Sequence, residues 1–308
     1  MKKIHNYELQ PNEEIISQNK SPFAVYERET AVRHLVDFPS GILIQDIHKE
    51  ILKALSTYLV LTSELTLGLL SRKGFHYSKP EIQKALYKLK ASAYVQAINF
   101  ESDSGSKSAY KAYILSFRGI GYLNALGIRQ RMGGYLASLD VTQFKKILST
   151  NQLLIKGAYE HVQIGQIILV EPQNPKEKAR FIFRSSAIAL NKNGEIFEFF
   201  EAIRKNNDFK EYSAKLERMT RVLNEKANAN IPIADSHRLV IVAEDFEHMI
   251  KIMQATENFR KKMSIVYSYD YAIYSSPSHN AEDFLYEYEP AANRRSFGFL
   301  KKLLAACF

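Results

Sequence analysis

Lys79, Gln83, Lys84, Tyr87 and Lys88 fall at helical spacing within the segment GFHYSKPEIQKALYKLKA, residues 74–91. Ammonium groups neutralise phosphates, while amides and phenols reach base edges or backbone oxygens, so this set suits contact with a nucleic acid. A second set suits different chemistry. Glu195, Glu198, Glu201 and Arg204 lie in GEIFEFFEAIR, residues 194–204. Carboxylates on adjacent strands that share a Mg²⁺, with a lysine beside them to position water, hydrolyse phosphodiesters. The set is incomplete here. The residue two after Glu201 is Ile203, Arg204 comes one position late, and the preceding SSAIALN has no aspartate. Lys215, further on, is placed to compensate only from a following helix. On a regular strand Glu195 and Glu201 share a face but lie roughly 20 Å apart, too far for one ion, and Glu198 points the other way. The chain contains no GxxxxGK[ST], GxGxxG or HExxH, and His161, His237, His248 and His279 lack metal-ligand spacing. No catalytic residue, metal ligand or cofactor is therefore expected.

The elements that would carry these residues can be read in order. A helix is expected from Asp46 to Tyr58, with Ile47, Ile51, Leu52 and Leu55 on its buried side. Thr62 caps a second helix, ELTLGLLS. The third begins at Lys79: Ser78 and Glu81 form a capping box, Pro80 sits in the first turn, and Ile82, Ala85, Leu86 and Leu89 make an apolar stripe. AYVQAINF (93–100) and YKAYILS (110–116) then read as two strands joined by a polar loop. Three helices and a hairpin are the winged helix-turn-helix arrangement, whose third helix enters the major groove while the hairpin lies along the backbone. Lys107 and Lys111 on the hairpin, and Arg118 just after it, join the helix residues as candidate DNA contacts. Between Arg72 and Arg131 the acids are only Glu81, Glu101 and Asp103, against eleven lysines and arginines. The net charge of the chain is +9, which also suits an anionic partner.

DVTQFKKILSTNQLLIKGAYEHV, capped by Asp140 or Thr142, reads as a long connector helix between domains, or one that joins two copies into a dimer. From Gln163 the pattern changes to GQIILVEP, then strands over 180–204 with a turn at Asn193-Gly194. Asp208 opens a helix with Tyr212, Leu216, Met219 and Leu223 on one side. RLVIVAED (238–245) is a strongly apolar strand, FEHMIKIMQATENFR a helix, and MSIVYSYDYAIYSS (263–276) further strand. This order predicts a mixed-sheet α/β domain. The expected organisation is an N-terminal extension (1–44), a winged-helix domain (45–130), a connector helix (131–160), an α/β domain (161–290) and a C-terminal tail (291–308). The N-terminal residues lack the apolar region of a signal peptide, no apolar run is long enough to span a bilayer, and Cys307 is the only cysteine. A cytoplasmic protein without a membrane partner is expected.

YILSFRGIGYL, QFKKILSTNQLLI, GEIFEFFEAI and HRLVIVAED, in this order over about residues 45–275, resemble the replication-relaxation family of plasmid and mobile-element proteins. The resemblance implies an α+β, α/β two-domain molecule: a winged helix followed by a degenerate restriction-endonuclease-like domain. Glu201 matches the family's strand acid, and the aspartate of the preceding strand is replaced around Ala189 to Asn191. What the resemblance implies is a duplex-DNA-binding accessory or regulatory protein of plasmid replication or conjugative transfer, non-catalytic. Its partners would be double-stranded DNA, a second copy of the chain, and a relaxase or replication initiator. A Mg²⁺-dependent nuclease and a protein-interaction factor of a DNA-transfer complex remain the alternatives.

Overall fold

The structure is a computed structural model and describes residues 1–5, 27–28, 42–101, 110–128, 139–165, 167–170, 181–205, 209–224, 226, 229–277 and 280–289. Lys107, Asp208, His279 and the tail 291–308 lie outside the described residues.

Two short strands, β1 (Lys2–His5) and β2 (Glu27–Arg28), precede the first helix. Helix α1 (Asp46–Tyr58) buries Ile51, Leu52 and Leu55, with Ile47 only partly covered. Strand β3 (Leu61–Thr62) leads into α2 (Ser63–Arg72), whose first turn is fixed by the Leu65 amide donating to Thr62 Oγ1 at 3.2 Å. Helix α3 (Lys79–Ala91) follows, then β4 (Val95–Glu101), β5 (Tyr110–Leu115) and α4 (Phe117–Ala125). The strands form an antiparallel sheet in the order β2-β4-β5-β3. The sheet thus contains the expected hairpin and gains β3 and β2, each too short to read from sequence.

Helix α5 (Val141–Lys156) is capped by Asp140, whose carboxylate accepts from the Gln143 amide at 2.8 Å. Beyond it lie β6 (Val162–Ile164), the hairpin β7 (Ile167–Val170) and β8 (Phe181–Arg184), β9 (Ala187–Leu190) and β10 (Ile196–Ala202). Helix α6 (Phe209–Asn224) crosses to β11 (Ile233–Ala243). Helices α7 (Phe246–Ala255) and α8 (Glu257–Arg260) cross to β12 (Ser264–Tyr269). Helix α9 (Asp270–Ser275) and β13 (Tyr286–Glu289) complete the described elements. A seven-stranded sheet runs β1-β13-β12-β11-β10-β9-β6. Its centre, β10-β11-β12, is parallel, as the intervening helices require; β9, β6 and β13 join antiparallel, and β1 pairs parallel with β13.

The second half differs in places from the sequence expectation: the stretch that begins at Gln163 is divided between β6 and β7, which lie in different sheets, and FEHMIKIMQATENFR is divided between α7 and α8. β11 begins at Ile233, five residues before the apolar run, because Ile233 pairs with Ile196 ahead of an irregularity in β10. Residues 270–275 form a helix where strand was expected. Alternating aromatic residues suggest a strand, but Asp270 turns inward to a buried cation and the chain coils there.

Helix α5 does not stand free between two halves. Residues Ser149 to Ile155 are all buried, and one apolar core runs from Ile51 and Leu86 through Leu153 and Leu154 to Phe199 and Ile241. Asn151 Nδ2 donates to the Tyr58 and Val60 carbonyls at 2.8 and 2.6 Å. These flank Leu59, whose φ of 65° and the Val60 amide-to-Tyr58 carbonyl contact at 2.7 Å make a strained three-residue turn. Arg72 of α2 donates to the Ile155 carbonyl at 2.6 Å, meeting the negative end of α5. On its other flank Gln152 donates to the Asp270 carbonyl at 2.9 Å. Among the described residues no helix is long and apolar enough to cross a membrane.

Candidate nucleic-acid interface

Helix α3 is fixed at its start and on one side. The Ser78 amide and hydroxyl both donate to Glu81 Oε2, at 2.8 and 2.7 Å, and these bonds hold the Glu81 carboxyl below its usual range. Ile82, Ala85, Leu86 and Leu89 are buried, as the spacing requires. Gln83, Lys84, Tyr87, Lys88 and Lys90 are left exposed, with Tyr87 71% accessible. Lys84 and Lys88 have no ion pair among the described residues, so their charge is available to a partner. Lys88 lies close enough to the buried His48 of α1 to add to the effect of burial in lowering that imidazole's pKa.

The other candidates are placed differently. Lys79 pairs with Glu64 of α2 at 2.8 Å, both about half exposed, which removes part of its charge from the surface. Lys111 is exposed on β5, opposite Asn99 of β4. Arg118 is exposed but engaged: it donates to the Ser92 carbonyl at 3.0 Å and lies over the Tyr94 ring at 4.7 Å. It tethers α4 to the end of α3. Gly119 completes that junction, since a Cβ there would lie 2.2 Å from the Tyr94 carbonyl oxygen. The RG pair thus has a packing role that its sequence alone does not disclose.

The strand acids are each held by a polar partner. Glu198 is almost fully buried and bonded by Arg238 of β11 at 2.5 Å, and Arg238 also reaches Glu282 at 3.1 Å. Burial pushes the Glu198 carboxyl up, and Arg238 opposes that. Glu201, also buried, accepts from the Ser186 amide and hydroxyl, both at 3.1 Å, and from Lys215 Nζ at 2.6 Å. Lys215 does reach Glu201 from the helix after the strand. Its position beside Leu216, on the flank of the buried stripe of α6, is the sequence signal for this. Glu195 instead bonds Asn191 in the turn before β10. Arg204 is buried with Asp270 at 2.6 Å and also donates to Ser149 and to the Val242 carbonyl. Burial, then Arg204, holds His248 down at about 4, so it adds no charge at neutral pH. Among the described residues no group of three or more His, Cys, Asp or Glu is placed to hold a metal.

The chain matches no protein-family model, no curated protein and no solved structure.

Proposed function

We propose that this is a duplex-DNA-binding accessory protein, of the kind that serves plasmid or mobile-element replication or conjugative transfer in the cytoplasm, and that it binds DNA without cutting it. The observation that carries the reading is the exposed row Gln83, Lys84, Tyr87 and Lys88 on a helix whose opposite side is locked into the core. The order α1-β3-α2-α3-β4-β5 supports a winged helix, with α3 as the element that enters the major groove. The order α5-β6-β7-β8-β9-β10-α6-β11, in which β6, β9 and β10 are antiparallel neighbours and α6 makes a parallel crossover to β11, supports a restriction-endonuclease-like core. A relaxase or replication initiator is the partner this reading implies.

Replacing Lys84 and Lys88 together with alanine weakens duplex binding and flattens its salt dependence. The slope of log affinity against log salt falls by roughly one unit for each phosphate that the variant no longer neutralises. A folded double variant with unchanged affinity and slope removes α3 from the interface.

The non-cutting part rests on Glu201. Its oxygens are taken by Ser186 and Lys215, and β9 supplies no second carboxylate. One occupied carboxylate is a poor Mg²⁺ site. Incubation with supercoiled, linear and single-stranded DNA, in Mg²⁺ or Mn²⁺, gives no cleavage, and Glu201→Gln binds duplex DNA like the wild type. Metal-dependent cleavage present in the wild type and absent in E201Q makes the protein an enzyme instead.

A further inference from the structure

The positive charge on the exposed side of α3 is uneven along the helix. Lys84 and Lys88, on its middle turns, are exposed and have no ion pair among the described residues. Lys79, the first residue of the helix, donates from Nζ to Glu64 Oε1 at 2.8 Å. Glu64 stands in the first turn of α2, which packs against α3. The Lys79 and Glu64 side chains remain 49% and 56% exposed, so a docking phosphate can reach the pair. Glu81, the other acid at this end of α3, is turned to a different task, since its Oε2 accepts from the Ser78 amide and hydroxyl.

A carboxylate and a phosphodiester oxygen make the same demand on an ammonium. Each is an anionic acceptor of a charge-assisted hydrogen bond. A lysine has donors enough for both, but its one positive charge neutralises only one of them. An exposed ion pair contributes little to stability, so the Lys79–Glu64 pair is no obstacle to docking. Its effect falls on the charge that docking can use. A phosphate brought to the start of α3 meets a locally neutral pair, and the counterion that a free lysine displaces from DNA is not released.

We infer that Glu64 is an internal competitor for the backbone phosphate that Lys79 would otherwise neutralise, and that it limits how tightly the start of α3 holds DNA of any sequence. The inference rests on the reading of α3 as the helix that meets duplex DNA. It gives the two parts of the helix different tasks. Lys84 and Lys88 supply attraction to phosphate, which carries no sequence information. The start of a recognition helix lies nearest the base edges. Glu64 keeps phosphate attraction low there, so contacts to bases decide the affinity at that end.

Binding of a mixed-sequence duplex, measured against salt concentration, tests the inference with a double-mutant cycle. The full chain is compared with Glu64→Gln, Lys79→Gln, the double variant E64Q/K79Q, and the variant with alanine at both Lys84 and Lys88. The Glu64 and Lys79 side chains are both half exposed, so their replacement leaves the fold intact. E64Q steepens the slope of log affinity against log salt by about one unit and tightens binding roughly fivefold at about 0.15 M salt. K79Q alone weakens binding by less than about twofold, because its ammonium is already engaged. In E64Q/K79Q the gain disappears. A gain from E64Q that persists in the K79Q background overturns the inference, because the carboxylate then repels DNA on its own account. No gain from E64Q, with a lowered slope in the Lys84 and Lys88 variant, overturns the inference and leaves α3 in the interface. No gain from E64Q and no effect of Lys84 and Lys88 overturns both. A gain that requires Lys79, without an effect of Lys84 and Lys88, keeps the inference and confines the interface to the start of α3.

Discussion

Aspartate in place of Ile241 (I241D) destabilises the chain by on the order of 4–5 kcal/mol, because the new carboxylate has neither water nor a partner. Ile241 is fully buried at the centre of the seven-stranded sheet. Its register neighbours are Glu201 on β10 and Tyr267 on β12. Glu201 is already a buried anion engaged with Lys215, so a second carboxylate one strand away adds repulsion to desolvation. Urea unfolding of wild type, I241D and the conservative Ile241→Val checks this. Valine costs about 1 kcal/mol. Near-wild-type stability in I241D means that β11 is not the centre of the core.

The second large effect is expected at Asp270. Asp270→Asn leaves the Arg204 guanidinium, 2% exposed, without its counter-charge and destabilises by about 3–5 kcal/mol. Replacing both partners, Arg204→Met with Asp270→Leu, costs less than the single change because no buried charge is left behind. The two outcomes separate a pair that must be neutralised from a site that only needs to be filled. A single variant as stable as the wild type shows that Arg204 finds other acceptors sufficient. Ser149 of α5 and the Val242 carbonyl of β11 meet the same guanidinium, so disturbing it loosens helix and sheet together.

Local signals in the sequence are informative where the cause is local. Ser78 with Glu81, Thr62 and Asp140 mark helix starts through bonds made within three residues. The apolar spacings of 82, 85, 86 and 89, and of 212, 216, 219 and 223, identify buried faces because a helix repeats every 3.6 residues. The candidate site is legible only on α3. What cannot be read depends on distant parts of the chain. Strand β2 has two residues and is defined by its pairing with Phe100 and Glu101. The Glu201–Lys215 pair is visible in sequence only as an option, and the Arg238–Glu198 pair needs the register of two parallel strands. Asp270 looks like one polar residue in an aromatic strand, and the arrival of Arg204 from another strand end and of the Ser149 hydroxyl from α5 explains its burial.

The pairing of β1 with β13 has a consequence for biosynthesis. Lys2 aligns with Tyr286, so the earliest of the described strands is matched by the last of them. Translation proceeds at about 5–20 residues per second, so β1 waits roughly 15–60 s outside the ribosome before its mate follows. Hairpins form in microseconds, so β4 with β5 and β9 with β10 pair almost as soon as they emerge. The seven-stranded sheet is therefore completed at one margin only after most of the chain has been synthesised, and until then β1 is an open strand that a chaperone or a neighbouring nascent chain can claim.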